Sequence, residues 1–214
     1  MICILWYNMF MIERALQGDW NLAVEELGVP SETLQLVKNS LSQLELHHLP
    51  TVEHCMRVGI LAMRIGQHVE LPLKPLFYGG SLHDRGKLKV TRALLDKTEE
   101  WTEADAEALR DHPQDGYEDT LSDGMVVTAG LIVRHHSFQQ NAYPKPLPEA
   151  PKYMGGSFER CARMIALADY YDAAHRPNSE GRLSEDEIQQ KMLTHNQDVF
   201  DVVVKLYETG IFKI

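Results

Sequence analysis

The chain has 214 residues, 44% of them hydrophobic and 24% charged, which is enough to bury a core as one domain. A formal net charge of −10 at pH 7 disfavours binding to a nucleic acid polymer or to an anionic membrane surface. The three cysteines, Cys3, Cys55 and Cys161, lie far apart and form no CxxC pair, which argues against a disulfide framework. The apolar start, residues 1–11, lacks the pattern of a signal peptide and is too short to span a bilayer, so we expect a cytoplasmic protein.

The apolar residues recur at helical spacing along nearly the whole chain. The first clear stripe follows Pro30 and Ser31, a favoured helix start. A second stripe runs through Val58 and Ile65, and His54 lies one turn upstream on the same face. The spacing therefore predicts an all-α fold in which a histidine points toward the core.

The second half of the chain has the same helical character. Residues 125–133 are apolar on all sides, which favours a buried helix over a strand because no partner strand is visible. Thr102 is expected to begin a helix that ends at His112, with a loop over 112–116. Ser184 and Glu187 have the spacing of a capping box, and Gly210 is placed to end the last helix.

Histidines and aspartates stand at the ends of several apolar segments. Burial of an unpaired imidazole or carboxylate is costly, so such groups are expected to meet one another in the interior. A shared metal would satisfy them, and imidazole with carboxylate and no thiolate suits iron, manganese, zinc or nickel. The set is too large for one tetrahedral ion, which indicates two metals. Its members are His54, His83, Asp84, His112, His135, His136 and Asp169.

These residues lie within segments that resemble a known family. His83-Asp84-Arg85-Gly86-Lys87 resembles the HD-x-G-K signature of HD-domain metal-dependent phosphohydrolases. The segments 51–58, 102–116, 135–144 and 168–177 resemble further motifs of the HD-GYP branch, which cleaves cyclic dinucleotides. The order and approximate spacing agree from about residue 51 to the C-terminus.

The resemblance implies a helical bundle in which all seven residues named above are metal ligands and Asp84 bridges two metals. Asp84 and Lys87 would be catalytic, and Lys87 and Arg176 would bind substrate phosphate. The implied reaction is hydrolysis of a cyclic dinucleotide of the cyclic di-GMP type, or a related small phosphate ester, by a hydroxide that two divalent metals activate. Iron is the preferred metal and manganese the next.

The same resemblance predicts the organisation of the chain and its partners. Residues 1–48 would form an N-terminal helical segment and residues 49–214 the HD domain. The partner would be a small nucleotide rather than a nucleic acid polymer or a membrane, and a homodimer is the assembly considered.

Several positions depart from the HD-GYP pattern. Pro50 stands where some relatives carry a glutamate that recruits a third metal, so we expect two metals. The loop from His135 to Pro144 is one residue shorter than the H-H-E…D-G-x-G-Y-P motif and lacks its glutamate, aspartate and both glycines. Ser179 stands where some relatives place a phosphate-binding lysine. These departures affect substrate recognition and leave the ligand set intact.

Two other functions are consistent with the sequence. A few HD-fold proteins use a mixed-valent di-iron centre with a similar ligand pattern to activate oxygen and cleave a carbon bond. The altered loop is also compatible with a module that binds a nucleotide without hydrolysing it.

Overall fold

The computed structural model describes residues 2–176 and 181–212, and it describes side chains except in residues 2–14 and at Tyr153. The described residues contain helices and no strand, which confirms the all-α prediction. The α-helices are α1 Ile2–Leu27, α2 Ser31–His47, α3 Leu49–His68, α4 Leu73–Leu82, α5 Arg92–Leu95, α6 Glu103–Leu109, α7 His112–Ser122, α8 Val126–Ile132, α9 Ser157–Ala174, α10 Glu185–His195 and α11 Phe200–Glu208. Short 3-10 helices lie at Arg85–Lys89, Lys152–Met154 and Gln197–Val199. None of the helices within the described part of the chain has the length and apolar character needed to cross a membrane.

Several predicted helix ends are confirmed. Thr102 caps α6 in a capping box with Asp105, and Ser184 caps α10 in a capping box with Glu187. The apolar segment around residue 130 is the buried helix α8. Gly210 follows the end of α11 with a φ of 73°, the left-handed conformation that glycine adopts without strain.

The prediction that His112 ends a helix was wrong. Helix α6 stops at Leu109, and His112 is the first residue of α7. Pro113 lies in the first turn of α7, where a missing N–H costs nothing, so it starts a helix here instead of ending one. The segment 112–116 is therefore helical and not a loop.

Helices α3, α4, α8 and α9 pack together and hold the centre of the molecule. Val58 and Ile65 of α3, Leu76 of α4 and Ile165 of α9 are fully buried in one apolar cluster. The N-terminal helices α1 and α2 cover the other side of α3 and α4, where Trp20 lies in a second cluster. Both clusters contain residues of α3 and α4, and the first of the histidines discussed below lie in α3 and directly after α4.

A glycine permits α3 and α4 to come into backbone contact. A Cβ atom added at Gly80 of α4 would lie 2.8 Å from the Val58 carbonyl oxygen and 2.8 Å from the Gly59 Cα atom. Real side chains do not tolerate such distances, so the two helices can cross this closely only with glycine at position 80. The sequence-based expectation that the glycines near His83 allow close packing is thus confirmed.

Candidate metal centre

Each of the predicted ligands stands at or near the end of a helix, facing the interior. His54 lies in the first turns of α3, His83 directly follows α4, and Asp84 precedes the 3-10 helix Arg85–Lys89. The others are His112 at the start of α7, His135 and His136 after α8, and Asp169 near the end of α9. The structure brings these residues into two neighbouring groups that share Asp84.

The first group, which we call the first half-site, consists of His54, His83, Asp84 and Asp169. The Nε2 atoms of His54 and His83 are 3.0 Å apart. The Oδ1 atom of Asp169 lies 3.0 Å from Nε2 of His54 and 3.6 Å from Nε2 of His83. One ligand atom from each of His54, His83 and Asp84 lies within 4.8 Å of the others, as around a common ion.

The second half-site consists of His112, His135 and His136 with the same Asp84. Nε2 of His112 is 3.1 Å from Nε2 of His135, and ligand atoms of the three histidines lie within 4.8 Å of one another. His136 is only half-buried, and its ring stacks on Tyr143 at a centroid distance of 4.6 Å.

The carboxylate of Asp84 faces both half-sites. Its Oδ2 atom lies 3.6 Å from Nε2 of His54 and 3.5 Å from Nε2 of His83. Its Oδ1 atom lies 3.3 Å from Nε2 of His112 and 3.9 Å from Nε2 of His135. A carboxylate in this position can give one oxygen to each of two metals.

Hydrogen bonds on the far side of each ring direct Nε2 inward. Three of the histidines donate from Nδ1 to the carbonyl oxygen three residues earlier in the chain. These bonds measure 2.8 Å from His83 to Gly80, 2.6 Å from His112 to Leu109, and 2.5 Å from His135 to Ile132. His54 instead donates from Nδ1 to Oδ2 of Asp172 at 2.7 Å. Proteins commonly fix metal-binding histidines with such second contacts, which leave the other ring nitrogen free to bind.

The charges in the cluster are strongly perturbed. Burial works against a positive charge on His83, but the carboxylate of Asp84 raises the pKa of this imidazole well above its usual value. Burial likewise works against the carboxylate charge, but Lys87 and His83 hold the pKa of Asp84 well below its usual range. Burial and the adjacent imidazoles lower the pKa of His135 well below its usual value, and burial lowers that of His136 to about 4. The site thus favours an anionic Asp84 beside a cationic His83, with His135 and His136 neutral.

The two predicted substrate-binding cations differ in position. Lys87 is largely buried, and its Nζ donates to Oδ2 of Asp84 at 2.5 Å, so it belongs to the cluster itself. The Arg176 side chain is 46% exposed, and its Nη2 atom lies 3.9 Å from Oδ2 of Asp172. Arg176 therefore lies at the edge of the cluster. Asp172, which contacts His54, stands between it and the predicted ligands.

Two residues that contact the cluster were not predicted as site residues from the sequence. Arg57 donates from Nε to Oδ1 of Asp172 at 2.7 Å and from Nη2 to Oδ2 at 3.1 Å. The side-chain amide of Gln139 lies 2.7 Å from Nδ1 of His136. Each is three residues beyond a predicted ligand, one helical turn or one tight turn away. Arg57 also lies in the segment 51–58 that resembles an HD-GYP motif, whereas this spacing is the one signal that could have indicated Gln139.

The donor set fits a pair of divalent metal ions. Two imidazole nitrogens at about 2.1 Å from one ion and at a right angle are about 3.0 Å apart, close to the spacing of both Nε2 pairs. The pairs consist of His54 with His83 and of His112 with His135. Nitrogen and carboxylate oxygen without thiolate are the ligands of iron, manganese and zinc rather than of soft metals.

Comparison with known families agrees with this geometry. The sequence profile described as HD domain matches residues 51–174, more than half of the chain. The chain belongs to the HD domain family. The matched range begins near the start of α3 and ends with α9, so this HD domain includes every predicted ligand.

Curated relatives of the HD domain are phosphodiesterases. The chain is 27% identical over 197 residues to 3'3'-cGAMP-specific phosphodiesterase 1 of Vibrio cholerae, covering 87% of this chain and 43% of the relative. It is 29% identical over 150 residues to the cyclic di-GMP phosphodiesterase PA4108 of Pseudomonas aeruginosa, covering 66% and 35%. It is 30% identical over 129 residues to the cyclic di-GMP phosphodiesterase response regulator RpfG of Xanthomonas campestris pv. campestris, covering 57% and 32%. The chain thus spans less than half the length of each of these relatives.

The fold of the HD domain is also found among solved structures. The HD domain of the L. monocytogenes phosphodiesterase PgpH superposes with a TM-score of 0.57 at 16% sequence identity, covering 81% of this chain and 99% of that one. A second crystal structure of that domain, in complex with cyclic-di-AMP, gives the same TM-score and covers 82% and 98%. At this identity the likeness supports the helical HD fold.

Proposed function

We propose that this HD domain is a metal-dependent phosphodiesterase that hydrolyses a cyclic dinucleotide or a related small phosphate ester. The observation that carries the proposal is the position of Asp84, whose two oxygens face two separate histidine groups. The ligands proposed for the two metals are His54, His83, Asp84 and Asp169 in the first half-site, and His112, His135, His136 and Asp84 in the second.

Two divalent ions, when bound, would supply a water of lowered pKa and a positive field for the phosphoryl oxygens. The protein's own part is to hold the reacting groups in line. Asp84, buried and anionic, can accept a hydrogen bond from the attacking water and so orient it. Lys87 brings a positive charge to the place where negative charge develops on the phosphoryl group. Arg176, at the edge of the cluster, would bind a more distant phosphate.

The class of substrate follows from charge and from the relatives. A chain with a net charge of −10 repels a polyanion, whereas a small nucleotide needs only the local positive charge of the site. The curated relatives named for a substrate act on cyclic di-GMP or 3'3'-cGAMP. The motifs around His54, His83 and Asp169 support the HD-GYP branch for this chain, with iron preferred and manganese next.

The test is hydrolysis by the purified chain reconstituted with Fe²⁺ or Mn²⁺. Cyclic di-GMP, 3'3'-cGAMP, cyclic di-AMP and bis(p-nitrophenyl) phosphate would be incubated with the protein and the products separated by chromatography. We expect a linear dinucleotide or mononucleotides from at least one of them, and no product with the His83→Ala/Asp84→Ala double variant. If metal-loaded protein turns over none of the panel, the proposal is wrong. Tight nucleotide binding without product would then indicate a binding module, and oxygen consumption with an organic substrate would indicate an oxygenase.

A further inference from the structure

We propose that the two half-sites bind metal in a fixed order, the first half-site before the second, and that Gln139 is the positioning residue that sets the affinity of the second. The inference rests on the ligands named under the proposed function. It concerns the binding of metal, which can be measured without any substrate.

The half-sites differ in negative charge. Asp169 and Asp84 both contact the histidines of the first half-site, whereas the second half-site has Asp84 as the one carboxylate among its proposed ligands. Because a divalent cation gains more from two carboxylates than from one, the first half-site attracts it more strongly.

The contacts behind the rings increase this difference. Asp172 accepts the Nδ1 hydrogen of His54, which makes this imidazole a more basic ligand. Arg57 holds Asp172 through both of its carboxylate oxygens, so the position of the carboxylate is fixed. His83 of the first half-site donates to a neutral backbone carbonyl, as His112 and His135 of the second do, so this difference comes from His54.

The third histidine of the second half-site, His136, is the one whose ring is oriented by the weakest contacts. His136 lies on a half-buried turn after α8, stacked on Tyr143, and Nδ1 of its ring contacts the neutral side-chain amide of Gln139 at 2.7 Å. As placed, the amide nitrogen faces Nδ1, which requires the ring proton to be on Nε2. Binding of a metal at Nε2 requires the amide to present its oxygen to an Nδ1–H instead. Gln139 can therefore bias which ring nitrogen of His136 carries the proton, and with it the availability of Nε2 for a metal.

The experiment is a titration of metal-free protein with Mn²⁺, which calorimetry and electron paramagnetic resonance would monitor. We expect two classes of site whose affinities differ at least about 10-fold, within the range that second contacts produce. After one equivalent the spectrum should be that of an isolated Mn²⁺ ion, and after two equivalents it should change to that of an exchange-coupled pair.

Variants at position 139 test the role of the glutamine. Gln139 is exposed, so its replacement leaves the core intact. Gln139→Leu should weaken the second Mn²⁺ about 10-fold and leave the first unchanged, and Gln139→Glu should strengthen the second. The neighbouring exposed Gln140 provides the matched control, since Gln140→Leu should change neither affinity. Asp172→Asn should have the opposite effect: it should weaken binding of the first Mn²⁺ and leave the affinity for the second unchanged.

Three results would overturn the inference. They are equal affinities with a coupled spectrum from the first addition, an unchanged second affinity in both Gln139 variants, and no Mn²⁺ binding at all. A protein that binds two Mn²⁺ ions in order and hydrolyses no cyclic dinucleotide would instead contradict the proposed function and leave the order of binding standing.

Discussion

Lys87 and Lys89 offer a test of the site at the scale of single residues. They are two positions apart, but Lys87 donates to buried Asp84, whereas Lys89 pairs with Asp115 and Asp119 at the surface. We expect Lys87→Met to lower kcat about 100-fold, because a positive charge near the developing phosphoryl charge is lost. The measurement is steady-state hydrolysis of the nucleotide that the panel identifies, with the bound metal quantified in each sample.

Lys89→Met is the matched control and should keep the wild-type rate, since exposed ion pairs contribute little. Equal rates for Lys87→Met and the wild type at equal metal content would remove Lys87 from the proposed mechanism.

At this scale the sequence predicts which residues lie close together. It predicts less well the hydrogen bonds that orient each side chain. The proposed ligands could be predicted to meet because most of them stand at an end of an apolar segment, as His83 directly follows α4 and Asp169 lies near the end of α9. The contact between Gln139 and His136 depends on the conformation of one turn, and no periodicity in the sequence encodes it. Arg57 lies one turn after His54 and meets Asp172 across two helices, a pairing that only the packing of α3 on α9 defines.

At the scale of helices, the crossing of α3 and α4 sets the distance between His54 and His83. Gly80→Ala would place a Cβ 2.8 Å from backbone atoms of α3, so the helices must separate. We expect a loss of about 1–3 kcal/mol in the free energy of unfolding, together with weaker binding of metal. Chemical denaturation and a metal titration of the same sample measure the two effects.

Gly18 in α1 is the matched control for this substitution. Among the side chains that the structure describes and the other helices, a Cβ there meets no atom within 4 Å, so Gly18→Ala should be neutral or raise stability by up to about 1 kcal/mol through helix propensity. If Gly80→Ala were as stable as the wild type, the claim that α3 and α4 come into backbone contact at position 80 would be wrong.

A second prediction at this scale concerns the attachment of the C-terminal helices to α9. The largely buried guanidinium of Arg163 donates to both oxygens of Asp198, and this hydrogen bonding keeps the pKa of Asp198 below its usual value. The carboxylate therefore stabilises the fold above the pKa that it has in the unfolded chain, and this contribution is lost as the pH falls through the lower folded pKa.

Asp198→Asn should accordingly cost about 1 kcal/mol at pH 7, a modest figure because the carboxylate is 59% exposed and water screens it. The difference between variant and wild type should begin to shrink as the pH falls below about 4, where the unfolded aspartate protonates, and should vanish below the lower folded pKa. Urea denaturation at pH 7 and at pH 3 measures it. A difference that persists unchanged at pH 3 would show that the charge of Asp198 is not the cause.

The helices themselves were largely predictable, since helical period and capping residues are local signals. The starts at Ser31, Thr102 and Ser184 agree with the structure to within one residue. The start of α7 at His112 was missed because His-Pro reads as a break, although proline is equally suited to a first helical turn.

At the scale of the whole molecule, the N-terminal helices complete the core on which the site rests. Trp20 of α1 is 1% exposed, packs on Phe77 of α4 and donates from Nε1 to the hydroxyl of Ser81 at 3.2 Å. We expect Trp20→Ala to cost about 3–5 kcal/mol of stability, as large aromatic truncations in cores do. Trp101, which is 44% exposed, is the control, and Trp101→Ala should change stability by less than about 0.5 kcal/mol. Thermal and chemical denaturation would compare the two.

The fold class and the approximate site could be predicted for the whole molecule, but the packing of α1 on α4 could not. Trp20 is one apolar residue in a long helix, and nothing in its neighbours indicates that it reaches Ser81, 61 residues further along the chain. The assignment of residues 1–48 as a separate segment, the homodimer and the cytoplasmic location stay predictions.

The central claim is that two metal ions bind among these histidines and aspartates. The most direct test is elemental analysis of the chain purified without added metal, beside the His83→Ala/Asp84→Ala double variant. We predict about two iron or manganese ions per chain in the wild type, as a two-metal site requires, and a loss of both in the variant. Wild-type protein that holds no metal, even after reconstitution with Fe²⁺ or Mn²⁺, would contradict the claim.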